Sequence, residues 1–145
     1  MADKKQKKWK KWIFPALTIA MIAFIWGHSM MPADISSDES GWVSNILGFL
    51  FRLDGRDIEG MVRKCAHFLE YMVLGILLTI DTCVLLKRPF AVSSLAIGLF
   101  VPLVDETIQL FTLGRSGSIF DIWLDFCGFV TGIICSVIIY HIIKK

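Results

Sequence analysis

The sequence predicts an all-α fold: a bundle of four transmembrane helices, with a short amphipathic helix on the outer surface between the first two. Hydrophobic residues make up 55% of the 145 residues and charged residues only 19%, and the apolar residues come in four long runs. A soluble domain usually has about 25% charged residues, and a chain of this length could not bury so much apolar surface in water. The composition therefore excludes a soluble enzyme, a disordered linker and a nucleic-acid-binding module.

Each of the four apolar runs is long enough to cross a membrane. About 20 helical residues span a hydrocarbon core of about 30 Å, and a single segment can cross only as a helix because its backbone groups must bond internally. We expect one membrane domain over residues 13–145, preceded by a basic tail over residues 1–12. The predicted transmembrane helices cover residues 13–31, 66–86, 89–111 and 119–143.

The distribution of lysine and arginine predicts the orientation of these helices. The N-terminal tail, the Lys87–Arg88 link and the C-terminal Lys144–Lys145 pair fall on the same side of the membrane. Cations are enriched in cytoplasmic segments. We therefore expect both termini in the cytoplasm and the loop over residues 32–65 outside it.

Part of this outer loop has the pattern of a surface helix. Within Gly41–Phe51, the apolar residues Trp42, Ile46 and Phe49 can share one helical face. The stretch is too short to span a bilayer. It predicts a helix that lies on the outer membrane surface, and a short helix packed over the bundle is the alternative.

Ionisable residues within the apolar runs predict a functional site, because charge in lipid is costly and usually faces a bundle interior or a cavity. In the predicted topology these residues form one layer near the outer side. A rise of 1.5 Å per residue puts Glu70, Asp105 and Asp125 about 5–10 Å below the outer surface. We expect the following residues to converge on one ligand-binding pocket that opens outwards: Arg63, His67, Glu70, Asp105, Glu106, Gln109, Arg115, Asp121 and Asp125.

Helical phase supports this convergence. On the second helix, Arg63, His67 and Glu70 share one face because they are spaced by four and three residues. On the fourth helix, Asp125 shares its face with the pair Gly128–Gly132. Glycines at this spacing let a neighbouring helix approach closely. The acids of the fourth helix should therefore point into the bundle.

Several of these polar residues also have purely structural interpretations. Asp121 follows Ser118 at capping-box spacing, so it could simply complete a helix start. Arg115 is expected to cap and neutralise the acidic cluster. Asp81 lies near the inner side, where we predict that it pairs with Arg88. A structural network in which cations neutralise buried acids is thus an alternative to a binding site.

The loop over residues 114–118 lies directly above the polar layer. Its glycines allow tight turning, and the guanidinium of Arg115 can bind a carboxylate or phosphate in fork geometry. The fourth helix begins just after it, with free N–H groups that suit an anion. The loop is either held by the neighbouring acids or holds an anionic ligand.

Three spaced motifs resemble a known family. They are Arg63-Lys64-Cys65-Ala66-His67-Phe68-Leu69-Glu70-Tyr71 with Leu74-Gly75, Asp105-Glu106-Thr107-Ile108-Gln109 with Gly114-Arg115, and Asp121-Ile122-Trp123-Leu124-Asp125 with Gly128 and Gly132. Over residues 13–143 the chain resembles the VanZ-like family, although many members carry asparagine where this chain has Asp125. The family is named for a protein associated with low-level teicoplanin resistance. The resemblance implies a bacterial membrane protein of the cell envelope and does not imply a reaction.

Three functions are compatible with these observations. The first is an envelope protein whose outward-facing pocket binds a lipid-linked or polymer ligand and so changes glycopeptide access. The second is a membrane-embedded enzyme, in which His67 with Glu70, Asp105 or Asp125 performs acid–base chemistry on a lipid headgroup. The third is a small transporter, which the lack of repeat symmetry disfavours.

Cofactors and partners are only broadly predicted. No motif predicts a cofactor, although the carboxylates and the imidazole could hold a divalent metal. The expected partners are membrane lipids and a lipid-linked envelope ligand, and no nucleic acid is expected. Whether the protein is an enzyme, and its oligomeric state, are left open by the sequence.

Overall fold

The computed structural model describes residues 2–32 and 55–144, and this part of the chain forms four α-helices. They are α1 (Ala2–Ser29), α2 (Gly55–Leu85), α3 (Val92–Leu110) and α4 (Ile119–Ile143). Stretches long and apolar enough to cross a membrane cover Lys11–Ser29, Gly60–Leu85, Val92–Leu110 and Ile119–Ile143. The predicted bundle of four membrane-spanning helices is confirmed. The predicted surface helix over Gly41–Phe51 lies outside the described residues.

Local chemistry sets the ends of α3 and α4. The first of these helices begins at Val92, slightly later than predicted, because Ala91 is still extended with φ −131° and ψ 137°. After α3, Gly114 adopts a φ of 74°, a conformation that favours glycine, and the chain turns back. Ser118 then caps α4, because its hydroxyl accepts a hydrogen bond from the backbone N–H of Phe120 at 3.2 Å.

The four helices form a ring in the order α1, α2, α4, α3, with α2 and α3 at opposite corners. The most extensive packing joins α2 to α4, and these two helices run parallel. A Cβ added at Gly128 would meet the backbone of Phe68, and one added at Gly132 would meet the backbone of Met72. The predicted glycine face of α4 is therefore the face that packs against α2.

The bundle interior combines a small apolar core with buried polar residues. The apolar core consists of Ile25, Tyr71, Leu74, Leu78, Val101, Phe129 and Ile133. Ser29, Asp105 and Asp125 are at most 1% exposed, whereas Phe111 is 86% exposed and Ile143 is 79% exposed. This distribution suits a bundle surrounded by acyl chains, which solvate apolar side chains and exclude charge.

Asp81 lies in the bundle interior, apart from the cluster of polar residues described in the next subsection. Its carboxylate accepts a hydrogen bond from the Thr18 hydroxyl of α1 at 2.6 Å, and the residue is 6% exposed. The prediction that Asp81 pairs with Arg88 is wrong. Asp81 faces the neighbouring helix, while Arg88 is exposed in the turn after α2.

Candidate functional site

Polar side chains from all four helices meet where α1 and α3 end and α2 and α4 begin. We call this the polar end of the bundle. The Thr112 hydroxyl, just after α3, donates to the Ser29 carbonyl at 3.0 Å and so ties α3 to α1. A cavity of about 290 Å³ opens at this end. It is lined by Arg63, Lys64, His67, Glu106, Gln109, Gly114, Arg115, Ser116, Ser118, Asp121, Leu124 and Asp125. We call it the polar cavity.

The structure brings the nine predicted site residues together. Seven of them line the polar cavity. The other two, Glu70 and Asp105, lie behind it against His67. The Nδ1 atom of His67 is 4.0 Å from Oε2 of Glu70 and 3.8 Å from Oδ2 of Asp105. Two helices, α2 and α3, therefore deliver carboxylates to one histidine.

Two of the acids at the polar end are paired with basic side chains of a neighbouring helix. The ammonium group of Lys64 lies 2.8 Å from Oδ1 of Asp121, which joins α2 to α4. The Nδ1 atom of His28 lies 3.2 Å from Oε1 of Glu70, which joins α1 to α2. These two pairs account for the most accessible carboxylates of the cluster.

A third acid, Glu106, stabilises the start of α4. Its Oε2 accepts a hydrogen bond from the backbone N–H of Ser118 at 2.6 Å. Its Oε1 accepts another from the amide of Gln109 at 3.3 Å. In a capping box, the Asp121 carboxylate would accept a hydrogen bond from the Ser118 N–H. Glu106 of α3 accepts that bond instead, so the capping-box interpretation of Asp121 is wrong.

The two acids at the centre of the cluster are less well satisfied. Asp105 is 0% exposed and Asp125 is 1% exposed. Oδ2 of Asp105 accepts from the Gln109 amide at 3.2 Å. Among the described residues, neither carboxylate oxygen of Asp125 has a hydrogen-bond partner. Buried polar atoms are normally bonded, so the centre of the cluster has unused capacity to bind a ligand.

Arg115 supplies positive charge to the polar cavity. Within the described part of the chain, its three guanidinium nitrogens are buried without a hydrogen-bond partner. Burial lowers the pKa of Arg115 from its ordinary value, and the nearby charge of Arg63 lowers it further, while Asp105, Glu70 and Glu106 act in the opposite direction. An arginine remains protonated at neutral pH. Arg115 lies beside the acids, as expected. Within the described residues, however, its guanidinium group forms no hydrogen bond with any of them.

Three further residues belong to the cluster although the sequence analysis does not select them. His28 pairs with Glu70, and its ring lies parallel to that of His67 with centroids 5.8 Å apart. Lys64 lines the polar cavity, and the buried Tyr71 has the Asp105 and Asp125 carboxylates as electrostatic neighbours. The spacing could have indicated Tyr71, which follows His67 by four residues and so shares its face.

An apolar groove adjoins the polar cavity on the outside of α2 and α4. It has a volume of about 530 Å³ and is lined by Met61, Lys64, Cys65, Phe68, Leu69, Phe120 and Leu124. Lys64 and Leu124 also line the polar cavity. The ammonium group of Lys64 is 5.2 Å from the centre of the Phe120 ring. The polar cavity therefore continues directly into an apolar surface.

Comparison with known proteins gives one match. A family model described as VanZ/LLP1 matches residues 14–140. No curated protein and no solved structure matches the chain. The matched range includes every residue of the polar cavity.

Proposed function

Since the chain belongs to the VanZ-like family, we propose that this membrane protein is a component of the bacterial cell envelope that binds an anionic lipid at its polar end. The phosphate of the lipid headgroup occupies the polar cavity, and a hydrocarbon chain lies in the apolar groove. The observation that carries this proposal is the continuity of cavity and groove through Lys64 and Leu124.

The basic groups of the polar cavity favour a phosphate, while three carboxylates line the same cavity. Arg115 offers several N–H donors in a planar fork, a geometry that matches phosphate oxygens. Within the described residues these donors have no hydrogen-bond partner, and a buried charged donor without one is unfavourable. Arg63 and Lys64 line the same cavity. A phosphate would supply the hydrogen-bond acceptors that the Arg115 guanidinium does not find among the described residues.

The size of the polar cavity favours a headgroup over a whole lipid. Small-molecule pockets usually measure about 300–1,000 Å³, and this cavity, at about 290 Å³, lies at the lower end. A hydrocarbon chain attached to a phosphate there must leave the cavity. The groove beside Lys64 offers it an apolar surface that already faces the membrane.

The distribution of basic residues supports an outward orientation of the polar end. Lys87 and Arg88 lie in the turn at the opposite end of the bundle, and the N-terminal part of α1, which contains six lysines, lies at that end as well. Cytoplasmic segments are enriched in such cations. We therefore place both termini in the cytoplasm and the polar cavity on the outer side.

A binding assay with matched ligands tests the proposal. Native mass spectrometry of the detergent-solubilised protein would compare phosphatidic acid, diacylglycerol with the same chains, and soluble glycerol phosphate. We expect phosphatidic acid to bind most tightly, because only it uses both the cavity and the groove. Arg115→Gln should weaken its binding by about tenfold or more, which corresponds to about 1.4 kcal/mol, a modest value for a charged hydrogen bond. Arg88→Gln, at the opposite end, should have no effect.

A second pair of variants tests the groove by itself. Cys65 and Cys135 are both exposed, but only Cys65 lines the groove. Cys65→Trp should weaken the binding of phosphatidic acid without changing that of glycerol phosphate, and Cys135→Trp should change neither. Equal retention of diacylglycerol and phosphatidic acid, or equal binding by wild type and Arg115→Gln, would contradict the proposal.

The family resemblance supports a connection with glycopeptide response. We propose that lipid bound at the polar end alters the access of teicoplanin to its targets at the outer surface. Expression in a susceptible bacterium should then raise the teicoplanin concentration needed to stop growth. The Arg115→Gln variant should lose this effect at an equal membrane level, whereas Arg88→Gln should keep it. An unchanged susceptibility with wild-type protein would exclude the connection.

A specific observation also favours an enzyme as the second candidate function. His67 and Asp125 both line the polar cavity, and neither His67 Nδ1 nor the Asp125 oxygens have a hydrogen-bond partner among the described residues. A histidine and a carboxylate beside a headgroup could transfer protons during cleavage. Headgroup release from a bound lipid by purified protein, lost in His67→Gln, would favour this function over binding alone.

A further inference from the structure

The centre of the cluster has the composition of a metal site. His67, Asp105 and Asp125 each present one ligand atom within 4.8 Å of the others, and all three residues are buried. We propose that these residues bind one divalent metal ion of the zinc or manganese type at the inner end of the polar cavity. The site goes beyond lipid binding and does not depend on it.

The spacing of two of the ligand atoms fits a shared ion. Nδ1 of His67 and Oδ2 of Asp105 are 3.8 Å apart, whereas a direct hydrogen bond between such groups would bring them to about 2.7–2.9 Å. Zinc binds imidazole nitrogen and carboxylate oxygen at about 2.0–2.2 Å, so two of its ligand atoms lie at most about 4.4 Å apart. The imidazole and the carboxylate are therefore separated by a distance that one ion can bridge.

The buried carboxylates at the centre of the cluster have no close cationic partner other than His67 among the described side chains. Asp125 is 1% exposed, and neither of its oxygens has a hydrogen-bond or ion-pair partner in the described part of the chain. Nδ1 of His67 likewise has no hydrogen-bond partner among the described residues. A divalent ion would neutralise both carboxylates and use the free lone pair of the imidazole.

The surroundings of the cluster provide an independent indication. Tyr71 is 0% exposed and its hydroxyl has no hydrogen-bond partner among the described residues, although Asp105 and Asp125 are among its electrostatic neighbours. The Gln109 amide already donates to Asp105 at 3.2 Å. Metal-binding carboxylates are usually held by such outer donors. Gln109 is therefore placed to orient Asp105, and the Tyr71 hydroxyl remains available to bond a ligand carboxylate.

The donor atoms define the class of metal. One imidazole and two carboxylates suit zinc or manganese, and the set contains no thiolate that would select a softer metal. The four cysteines are free and lie outside the cluster. Three protein ligands leave at least one coordination position open towards the polar cavity.

Metal analysis of the full-length protein tests the site. The protein would be purified through a tag without histidines, stripped with EDTA, and dialysed against Zn²⁺ or Mn²⁺ before its metal content is measured. Wild type should retain one ion per chain. Asp125→Asn should bind at least about 100-fold more weakly, since loss of an outer partner alone costs 10–100-fold. Asp81→Asn is the matched control, because Asp81 is a buried carboxylate bonded to Thr18 outside the cluster, and it should bind like wild type.

A spectroscopic measurement keeps the proposal testable if a carboxylate variant does not accumulate. Co²⁺ added to the stripped wild-type protein should give visible absorption bands that differ from those of aqueous Co²⁺, because the coordination geometry changes. Tyr71→Phe, which removes only the hydroxyl, should weaken metal binding by about tenfold. A wild-type protein that retains neither metal and gives only the aqueous Co²⁺ spectrum would overturn the site, as would equal affinity in wild type, Asp125→Asn and Tyr71→Phe. Lipid binding is measured separately, so either proposal can fail without the other.

Discussion

The Glu106 carboxylate of α3 accepts a hydrogen bond from the backbone N–H of Ser118, the residue that caps α4, at 2.6 Å. In a local capping box the acid three residues after the cap would make this bond. That acid, Asp121, pairs instead with Lys64 of α2 at 2.8 Å. The start of α4 is thus connected to two other helices, and this holds the rim of the polar cavity in place.

Glu106→Ala should destabilise the protein, because it leaves the Ser118 N–H without its acceptor. The cost of an unsatisfied buried donor is about 1–3 kcal/mol in the free energy of unfolding. Glu106→Gln is the control, since its amide oxygen can still accept the bond and its loss should be smaller. Denaturant unfolding in detergent, followed by circular dichroism, measures both. Equal stability of the two variants would show that the hydrogen bond contributes nothing.

Gly132→Ala should destabilise the contact between α2 and α4, because the added Cβ would meet the Met72 carbonyl. Overpacking of this kind costs about 1–3 kcal/mol. At Gly27 a Cβ meets nothing within 4 Å, so Gly27→Ala should be neutral or stabilise the helix by about 0.5–1 kcal/mol. Only Gly132→Ala should therefore lower the unfolding midpoint, and a neutral Gly132→Ala would contradict close packing at this face.

Thr18→Val should destabilise the interior around Asp81, which would lose the hydrogen bond that it accepts from Thr18 at 2.6 Å. We expect a loss of about 1–3 kcal/mol in the free energy of unfolding. Thr131→Val is the matched control, because that exposed hydroxyl bonds the Cys127 carbonyl within its own helix. Its effect should stay within about 0.5 kcal/mol. Similar losses in both variants would argue against a specific role for the Thr18 bond.

Cysteine labelling should establish the topology. In a background without the four natural cysteines, a cysteine at Ser37 should react with a membrane-impermeant maleimide on intact cells, because the predicted outer loop contains it. A cysteine at Arg88, which is exposed in the turn after α2, should react only after permeabilisation. The reverse pattern would place the polar cavity on the cytoplasmic side.

The sequence was sufficient to predict the helices and the polar layer, because both follow from local periodicity. The apolar runs required four spans, and the three- and four-residue spacings on α2 placed His67 and Glu70 on one face. The same spacing could have included Tyr71. His28 was harder to assign, since its partner Glu70 lies on a different helix.

Only the tertiary structure decided which charges meet. Lys64, and not Arg115, pairs with Asp121, and Thr18, and not Arg88, bonds Asp81. These choices depend on the order of the helices around the bundle and on the rotation of each helix about its axis. Neither is encoded in the spacing along one helix, because ring order and rotation result from the packing of all four helices together.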